Sequence, residues 1–356
     1  MKHKLKDLGE ITTGKTPSKG MIGAYGRAIN FLTPRDLKGQ RYSIFTERGL
    51  SLKGVKYLKK YEVMSPSISV SCIGSDMGKV IFNKQTIITN QQLNSISNIR
   101  KDIDPLYLYY LLLNNRNLFK FMGSGRGSTM PILSKREFGN LEFEFPSLKI
   151  QKLISYRLDS LDKKIEVNRR INDNLLELAK ALFHKKFSYD NEVLLSNYFL
   201  PKRGKNLLKR NVVNGHIPVV AGGLTPAAFH NKSNTESPVI TISSSGANAG
   251  YTQIWGQKVW SSDSSYIDKT VTDNIYFWYL LIKSHQKQIF DSQTGSAQPH
   301  IYPQDIGNIL IPKINENIAK KVDKAVTPVF QKIFQNKDEN KKLENIKAVL
   351  LDKYFD

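Results

Sequence analysis

Five cations stand close together in the second half of the chain, with no acidic residue among them. They are Lys202, Arg203, Lys205, Lys209 and Arg210. Long, flexible cations contact phosphate groups without identifying a base, so this run is suited to hold a nucleic-acid backbone. A solvated surface loop is the alternative interpretation, and the domain organisation described below favours the nucleic acid.

Side chains able to read base edges are also present. Glutamine pairs bidentately with adenine, and arginine pairs bidentately with guanine. The residues expected to contact DNA outside the cationic run are Lys15, Arg35, Lys79, Gln91, Gln92 and Arg126 in the first half and Asn248, Gln298 and His300 in the second. Gln91 would serve equally well as a strand cap in the core. Glycine-bearing turns at 74–79 and 246–250 permit close backbone approach to a ligand, although plain hairpins explain them equally well.

A phosphate-binding loop pattern occurs near the N-terminus. Gly9 to Thr16 reads GEITTGKT and matches that pattern at every required letter. The loop works only between a buried strand and a helix whose N-terminus faces the phosphates. Pro17 disfavours a helical Thr16, so we expect no nucleotide site here.

The motifs of catalysis are missing from the sequence. It contains no Asn/Asp-Pro-Pro-Tyr tetrapeptide of the amino-methyltransferases, no Gly-x-Ser-x-Gly elbow and no His-Glu-x-x-His spacing. Its one cysteine, Cys72, excludes an intrachain disulfide and a cysteine-rich zinc site. We therefore predict a protein that is not an enzyme, with no catalytic residues, no cofactor and no metal.

Charge points to a polyanionic partner. The net charge is +22, and residues 1–146 hold 23 lysines and arginines against 11 acidic residues. Nucleic acid is the most economical partner for this balance, although a generally basic proteome accounts for part of the excess. An anionic membrane fits less well, because no helix combines a lysine-rich face with an exposed aromatic edge. The polar N-terminus is no signal peptide, so we expect a cytoplasmic protein without a membrane span.

The elements that must position these residues occur twice. Strand-like runs at 29–32, 68–70, 80–82 and 87–89 alternate with turns, and a helix is predicted over 105–121 with Asp104 as its cap. The order then recurs: Ile240 to Gly250 parallels Ile68 to Gly78, 275–282 parallels 106–113, and Gly307-Asn308 parallels Gly139-Asn140. Internal duplication is the prediction that the sequence supports most strongly.

Two long helices are predicted, one after each domain. Residues 150–187 and 318–355 carry apolar side chains at spacings of three and four, and their apolar positions coincide when set 168 residues apart. The coinciding pairs are Ile150 with Ile318, Ile154 with Val322, Leu158 with Val326, Leu161 with Val329, Ile165 with Ile333, Leu175 with Leu343, Leu178 with Ile346, Leu182 with Leu350 and Phe187 with Phe355. Each stripe is roughly 57 Å long at ~1.5 Å per residue. We expect the helices to pack on each other as an antiparallel, coiled-coil-like pair.

Polar interruptions recur at the same spacing. Asn168 matches Asn336 and Asn172 matches Asn340, so in an antiparallel pair the four amides meet and set the helix register. Two solvated kinks would explain the same residues. Pro328 lies inside the second stripe and predicts a kink or a break there, with Thr327 as a cap.

The chain resembles the specificity subunit of Type I restriction-modification enzymes over essentially its whole length. The resemblance rests on the duplication and on LGEITTGKTPS (8–18), FLTPRDL (31–37), NQQLNSI (90–96) and TGSAQPHIYPQDIGNILIP (294–312). It implies an α+β fold with two similar globular target recognition domains, 1–146 and 188–312, separated by a pair of long antiparallel coiled-coil-like helices, 147–187 and 313–356, about a pseudo-twofold axis. Pro328 departs from this plan, because a proline inside a helix predicts that the second helix is not straight.

Function follows from the resemblance as an expectation. It implies a subunit without chemistry of its own that binds an asymmetric bipartite duplex DNA site through its two domains. It also implies a scaffold for methyltransferase and restriction subunits. A freestanding bipartite DNA-binding regulator, a nucleotide-binding protein that uses Lys15, and a coiled-coil adaptor are the alternatives. By the repeat, Phe187 leads into the second domain, and Phe355 lies beside the first domain near Met1.

Overall fold

The computed structural model describes residues 1–43, 45–124, 131–184, 191–295 and 298–355. The chain forms two compact α+β units, one of Met1–Lys164 with Leu343–Asp356 and the other of Ile165–Lys342. Each division between the units falls inside a long helix, so both long helices contribute to both units. No described helix has the length and apolar character needed to cross a membrane.

The first half of the chain contains eleven described strands and five described helices. The strands β1 to β11 are Lys2–Lys4, Glu10–Thr13, Tyr25–Gly26, Ile29–Leu32, Arg48–Leu50, Glu62–Val63, Ser67–Ser71, Val80–Asn83, Ile87–Thr89, Leu93–Ser97 and Glu142–Glu144. The helices α1 to α5 are Leu52–Tyr57, Pro105–Asn114, Arg116–Ser124, Lys135–Asn140 and Leu148–His184.

The second half contains nine described strands and four described helices. The strands β12 to β20 are Glu192–Leu194, Lys202–Arg203, Ile217–Val220, Ala228–His230, Val239–Ser243, Thr252–Trp255, Trp260–Ser261, Ser264–Ile267 and Leu310–Pro312. The helices α6 to α9 are Ile275–Ser284, Gln286–Asp291, Pro303–Gly307 and Glu316–Phe355.

The two units share one sheet plan, which confirms the duplication. A four-stranded antiparallel sheet runs β2-β10-β7-β8 in the first unit and β13-β19-β16-β17 in the second. A second sheet contains one parallel pair, β4 with β9 in the first unit and β14 with β18 in the second. A short antiparallel pair, β1 with β11 or β12 with β20, leads into each long helix. As domain limits, 1–146 and 188–312 stay a prediction.

The strands predicted from the first half are confirmed, and the helix predicted over 105–121 is divided. Asp104 caps α2 as expected, because its carboxylate accepts the N–H of Tyr107 at 2.7 Å. The helix ends at Asn114, and Asn115 then donates its side-chain amide to the Leu111 carbonyl at 2.8 Å. Asparagine competes with the backbone for such hydrogen bonds, which favours a helix end at this position.

The first and last parts of the chain meet in the first unit. The side chain of Arg157 in α5 donates to the Tyr354 hydroxyl in α9 at 2.9 Å, and Leu350 and Leu351 pack on the core of that unit. The Phe355 ring lies 5.2 Å from the Tyr107 ring. These contacts confirm that Phe355 lies beside the first domain. Phe187 lies outside the described residues.

The four asparagines meet in the second unit, as the sequence predicts. Asn168 donates to Asn340 at 2.9 Å, and Asn336 donates to Asn172 at 2.8 Å. Asn168 is 1% exposed and Asn336 is 2% exposed. Residue numbers rise along α5 as they fall along α9 in these pairs, so the two helices are antiparallel here.

Part of the predicted apolar stripe is wrong. Ile154, Leu158 and Ile165 are buried, but Ile150, Leu178 and Ile346 are about half exposed. Beyond the asparagines, the buried positions of α5 are Ala179 and Phe183. Steps of three and four from Asn172 lead to residues 179 and 183. Leu178, one residue before Ala179, lies about 100° away from it around the helix axis.

The predicted break at Pro328 is also wrong. The helix α9 is continuous from Glu316 to Phe355 with Pro328 inside it. Thr327 is not a cap, since its hydroxyl donates to the Asp323 carbonyl one turn earlier at 2.7 Å. Burial of Val326 and Phe330 on either side of the proline holds the helix through the position where the ring removes a backbone donor.

One helix position is ionic in the first unit and aromatic in the second. Asp162 accepts hydrogen bonds from Tyr110 and Lys347, each at 2.7 Å. The neighbouring Asp159 pairs with the buried Arg41 at 2.5 Å. At the position of Asp162, 168 residues on, stands Phe330, whose ring stacks on Tyr276 at 4.8 Å and meets Tyr279 edge-on.

Burial and the nearby Asp162 carboxylate raise the pKa of Tyr110. Tyr110 therefore stays a neutral hydroxyl donor to that carboxylate.

Replacing Asp162 by alanine is expected to destabilise the first unit strongly. The change leaves Lys347 without its carboxylate partner in a site where the aspartate side chain is 11% exposed. Removing one partner of a buried ion pair costs about 3 to 5 kcal/mol in the free energy of unfolding. Urea unfolding of the full chain measures this loss, with Asp173→Ala on the exposed face of the same helix as the control. Equal losses in the two variants would contradict the prediction.

We propose that the asparagine pairs fix the helix register, and a mutant cycle tests this. Asn336→Leu alone is expected to lower the free energy of unfolding by about 1 to 3 kcal/mol, because the Asn172 oxygen loses its donor. The double change to leucine at both positions restores most of the loss, since an apolar pair replaces a polar one. Additive losses in urea unfolding would show that the two amides act independently.

Candidate nucleic-acid interface

One end of the four-stranded sheet in the first unit collects four of the six residues of the first half of the chain that are predicted to contact DNA. Lys15 follows β2, Gln91 and Gln92 precede β10, and Lys79 precedes β8. Neighbouring strands in this sheet are antiparallel, so the end of one lies beside the start of the next. These four residues therefore lie at one end of the sheet.

Backbone packing fixes Lys15 at this sheet end. The N–H of Lys15 donates to the Thr89 carbonyl at 2.9 Å, and the Thr16 hydroxyl donates to the Gln91 side chain at 2.8 Å. Gly14 lies so close to Thr89 that any side chain at residue 14 would collide with that carbonyl. The Lys15 side chain is left exposed.

Arg35 reaches the same end through the parallel strand pair. It is exposed in a short turn, 34–36, directly after β4, whose Leu32 is in register with Thr89 of β9. Asp36 holds the turn by accepting the N–H of Thr33 at 2.8 Å. The structure thus places Arg35 near Lys15 and Gln91 at the strand ends.

This geometry contradicts a phosphate-binding loop at Gly9 to Thr16. The element that follows β2 along the chain is the strand β3, so no helix begins directly after residues 14–16. Lys15 and Thr16 are instead held along the chain at 89–91. The glycine in the pattern serves close packing of backbone, which is a different use of the same residue type.

The second unit repeats this arrangement at the dipeptide Gly204-Lys205. Its correspondence with Gly14-Lys15 was not recognised in the sequence, because the repeat of 168 residues does not align the two dipeptides. The N–H of Lys205 donates to the Ser261 carbonyl at 2.9 Å, and Gly204 packs against that carbonyl as Gly14 packs against Thr89. The two dipeptides are 190 residues apart, whereas the helices repeat at 168. A search that allowed insertions between β2 and β7 would have aligned them.

The cationic run divides between two places. Arg203 pairs with Asp263 at 3.2 Å at the sheet end, and Lys209 and Arg210 are exposed in the turn 209–211 that follows Lys205. Lys202 is different. Its ammonium donates to the Thr270 hydroxyl at 2.7 Å, beyond the opposite end of β19, so it is directed away from the other four.

Two open turns flank these sheet ends. Gly74 and Gly246 adopt φ of +84° and +77°, and a Cβ atom at either position would meet nothing within 4 Å. Their N–H groups donate to the carbonyls of Pro131 and Pro299, each at 3.0 Å. Both turns leave room for a ligand beside bare backbone.

Several predicted base-reading side chains are partly engaged within the chain. Lys79 pairs with Asp76 at 2.8 Å, the Gln92 oxygen accepts from Asn90 at 2.9 Å, and Asn248 donates to the Gly222 carbonyl at 3.2 Å. Gln298 is exposed, and the His300 ring stacks on Tyr302 at 6.4 Å. Arg126 lies outside the described residues. The role of each of these residues in DNA binding stays a prediction.

Within the described residues, no cluster of three or more histidine, cysteine or acidic side chains could hold a metal ion.

Cys72 directly follows β7, and its N–H donates to the Gln92 carbonyl at 2.8 Å. Burial raises the pKa of its thiol to about 12. At pH 8 the thiol is therefore protonated, and the native protein is expected to react with Ellman's reagent at least ~100-fold more slowly than the urea-unfolded chain. Cys72→Ser supplies the blank. Equal rates in native and unfolded protein would show that the sheet end is open at this residue.

The same plan is found in known proteins. The family profile of the Type I restriction modification DNA specificity domain matches residues 1–177. The Type I restriction enzyme MjaIX specificity subunit of Methanocaldococcus jannaschii is 25% identical over 98% of this chain and 91% of its own length. The HindI specificity subunit of Haemophilus influenzae is 33% identical over 50% of this chain and 39% of its own.

A solved structure has the same fold. The Type I restriction-modification system S subunit from M. genitalium aligns with a TM-score of 0.66 at 21% identity, covering 100% of this chain and 96% of that one. Together with the duplicated domain and helix plan, these matches define the class. The chain belongs to the family of Type I restriction-modification specificity subunits.

Proposed function

We propose that this chain recognises an asymmetric bipartite sequence in duplex DNA, with one half-site contacted by each unit. The observation that carries the proposal is the repeated sheet end, where Lys15 and Lys205 are held by equivalent backbone hydrogen bonds. Exposed cations fixed at equivalent sheet ends are suited to contact phosphates, and phosphate contacts set the position of a protein on DNA.

The half-sites should differ in sequence, because the two sheet ends carry different side chains. Beside Lys15 stand Arg35, Gln91 and Gln92, whereas beside Lys205 stand Arg203 and Asp263. Amides and guanidinium groups select different bases. An asymmetric target follows from this difference.

The partners proposed here are a methyltransferase subunit and a restriction subunit, which this chain would bring to its site without performing chemistry itself. Membership of a family of specificity subunits supports this role. The alternative of a freestanding regulator has no feature of the structure in its favour. Mapping methylated bases in cells with and without the gene tests the proposal, since loss of one bipartite methylation motif is expected. An unchanged methylation pattern would contradict it.

Lys15→Ala and Lys205→Ala are each expected to weaken DNA binding by the full-length chain for every sequence alike. If each lysine contacts one phosphate, the slope of log K against log salt becomes less steep by about 0.9 per variant. Titration of labelled duplex at several salt concentrations measures this slope.

Lys101→Ala and Lys269→Ala are matched controls. Both lysines are exposed and follow the opposite ends of β10 and β19. Each of these substitutions removes one positive charge from the sheet end that is not proposed to contact DNA. Equal changes of slope in controls and test variants would place the DNA elsewhere.

A further inference from the structure

Arg203 differs from the neighbouring cations because its guanidinium group is held in place. One of its terminal nitrogens lies 3.2 Å from Asp263, and its central carbon lies 5.6 Å from the centre of the Tyr302 ring. The side chain is nevertheless 42% exposed. An anchored, half-exposed guanidinium loses less conformational freedom on binding than a free surface arginine.

Asp263 is itself fixed from two sides. The Ser245 hydroxyl donates to its second carboxylate oxygen, and its backbone carbonyl accepts the N–H of Ser244 at 3.1 Å. It stands directly before β19, at the position that Gln92 occupies before β10 in the first unit. The arginine and its partner therefore lie at the sheet end proposed to face DNA.

We propose that Arg203 reads a guanine in the half-site contacted by the second unit, with Asp263 as its positioning residue. This inference rests on the proposed function. Guanidinium has five N–H donors in a rigid fork, and Asp263 engages one nitrogen of that fork. The remaining edge presents two parallel donors, which match the O6 and N7 acceptors of guanine in the major groove.

The carboxylate decides between a base and a phosphate as the ligand. A phosphate approaching Arg203 would lie near Asp263, and like charges at short range repel. A base edge carries no such charge, and the carboxylate can also accept from a cytosine amino group. The pair is therefore better suited to a G·C base pair than to the backbone.

The first unit lacks this pair. Thr13 occupies the position of Arg203, and its hydroxyl donates to Asn94 at 2.6 Å. Gln92 replaces Asp263. Changes at Arg203 should therefore alter one half-site and leave the other unchanged.

Selection from a randomised duplex library by the full-length chain tests the inference. The wild-type chain is expected to enrich a bipartite motif with an invariant guanine in one half. Arg203→Gln is expected to abolish a preference of roughly 10- to 100-fold for that G·C pair while preserving the other half. Arg203→Lys keeps the charge but lacks the fork, so it should lose the same preference. Asp263→Asn should weaken the preference at the same base pair alone.

Lys209→Gln is the matched control, because it removes a nearby exposed charge and should lower affinity without changing the motif. A motif that survives in Arg203→Lys or Arg203→Gln overturns the inference while leaving the proposed function intact. Failure of the wild-type chain to enrich any motif overturns the proposed function itself. Circular dichroism of each variant confirms that the fold is retained, and a half-site without an invariant guanine also refutes the assignment.

Discussion

The apolar stripe of each long helix must be covered by other parts of the chain, and the fold of both units depends on that packing. Leu158 of α5 is buried in a cluster with Tyr107 of α2, on which Leu350 of α9 packs. Val322 and Val326 of α9 are buried in a second cluster with Phe183 of α5 and Phe277 of α6. Burying apolar area is the main favourable contribution to this packing. The asparagine pairs lower that contribution, and their hydrogen bonds join the two helices at Asn168 with Asn340 and at Asn172 with Asn336.

Duplication lets the two units keep a frame while their contacts diverge. Lys15 and Lys205 retain the same backbone hydrogen bonds, whereas Gln92 and Asp263 at the next position differ in charge. The packing against the helices diverges in the same way, from the ionic site at Asp162 to the aromatic site at Phe330. At the sheet ends the frame is set by backbone hydrogen bonds, so the side chains there can differ between the units without loss of the frame.

Much of the fold could be predicted because it follows from periodicity, and much of the site could not. The period of the stripe identified the helix pair and predicted that the four asparagines meet, as the hydrogen bond from Asn168 to Asn340 confirms. The period was wrong at Leu178, where the buried position is instead Ala179, one residue later. The break expected from the local preference of Pro328 was wrong because packing of the helix outweighs that preference. The pair of Arg203 and Asp263 joins residues 60 positions apart, and a contact at this separation cannot be predicted from a local sequence pattern.

The closing of the first unit by residues 343–355 has a consequence for synthesis of the chain. Tyr107 and Leu158 belong to a core on which Leu350, Leu351 and Phe355 pack. Domains generally fold from the N-terminus while the ribosome is still working. Here the core of the first unit receives its last apolar contacts only when residues 350–355 have been translated, so a premature stop near the C-terminus leaves the surface that they cover exposed.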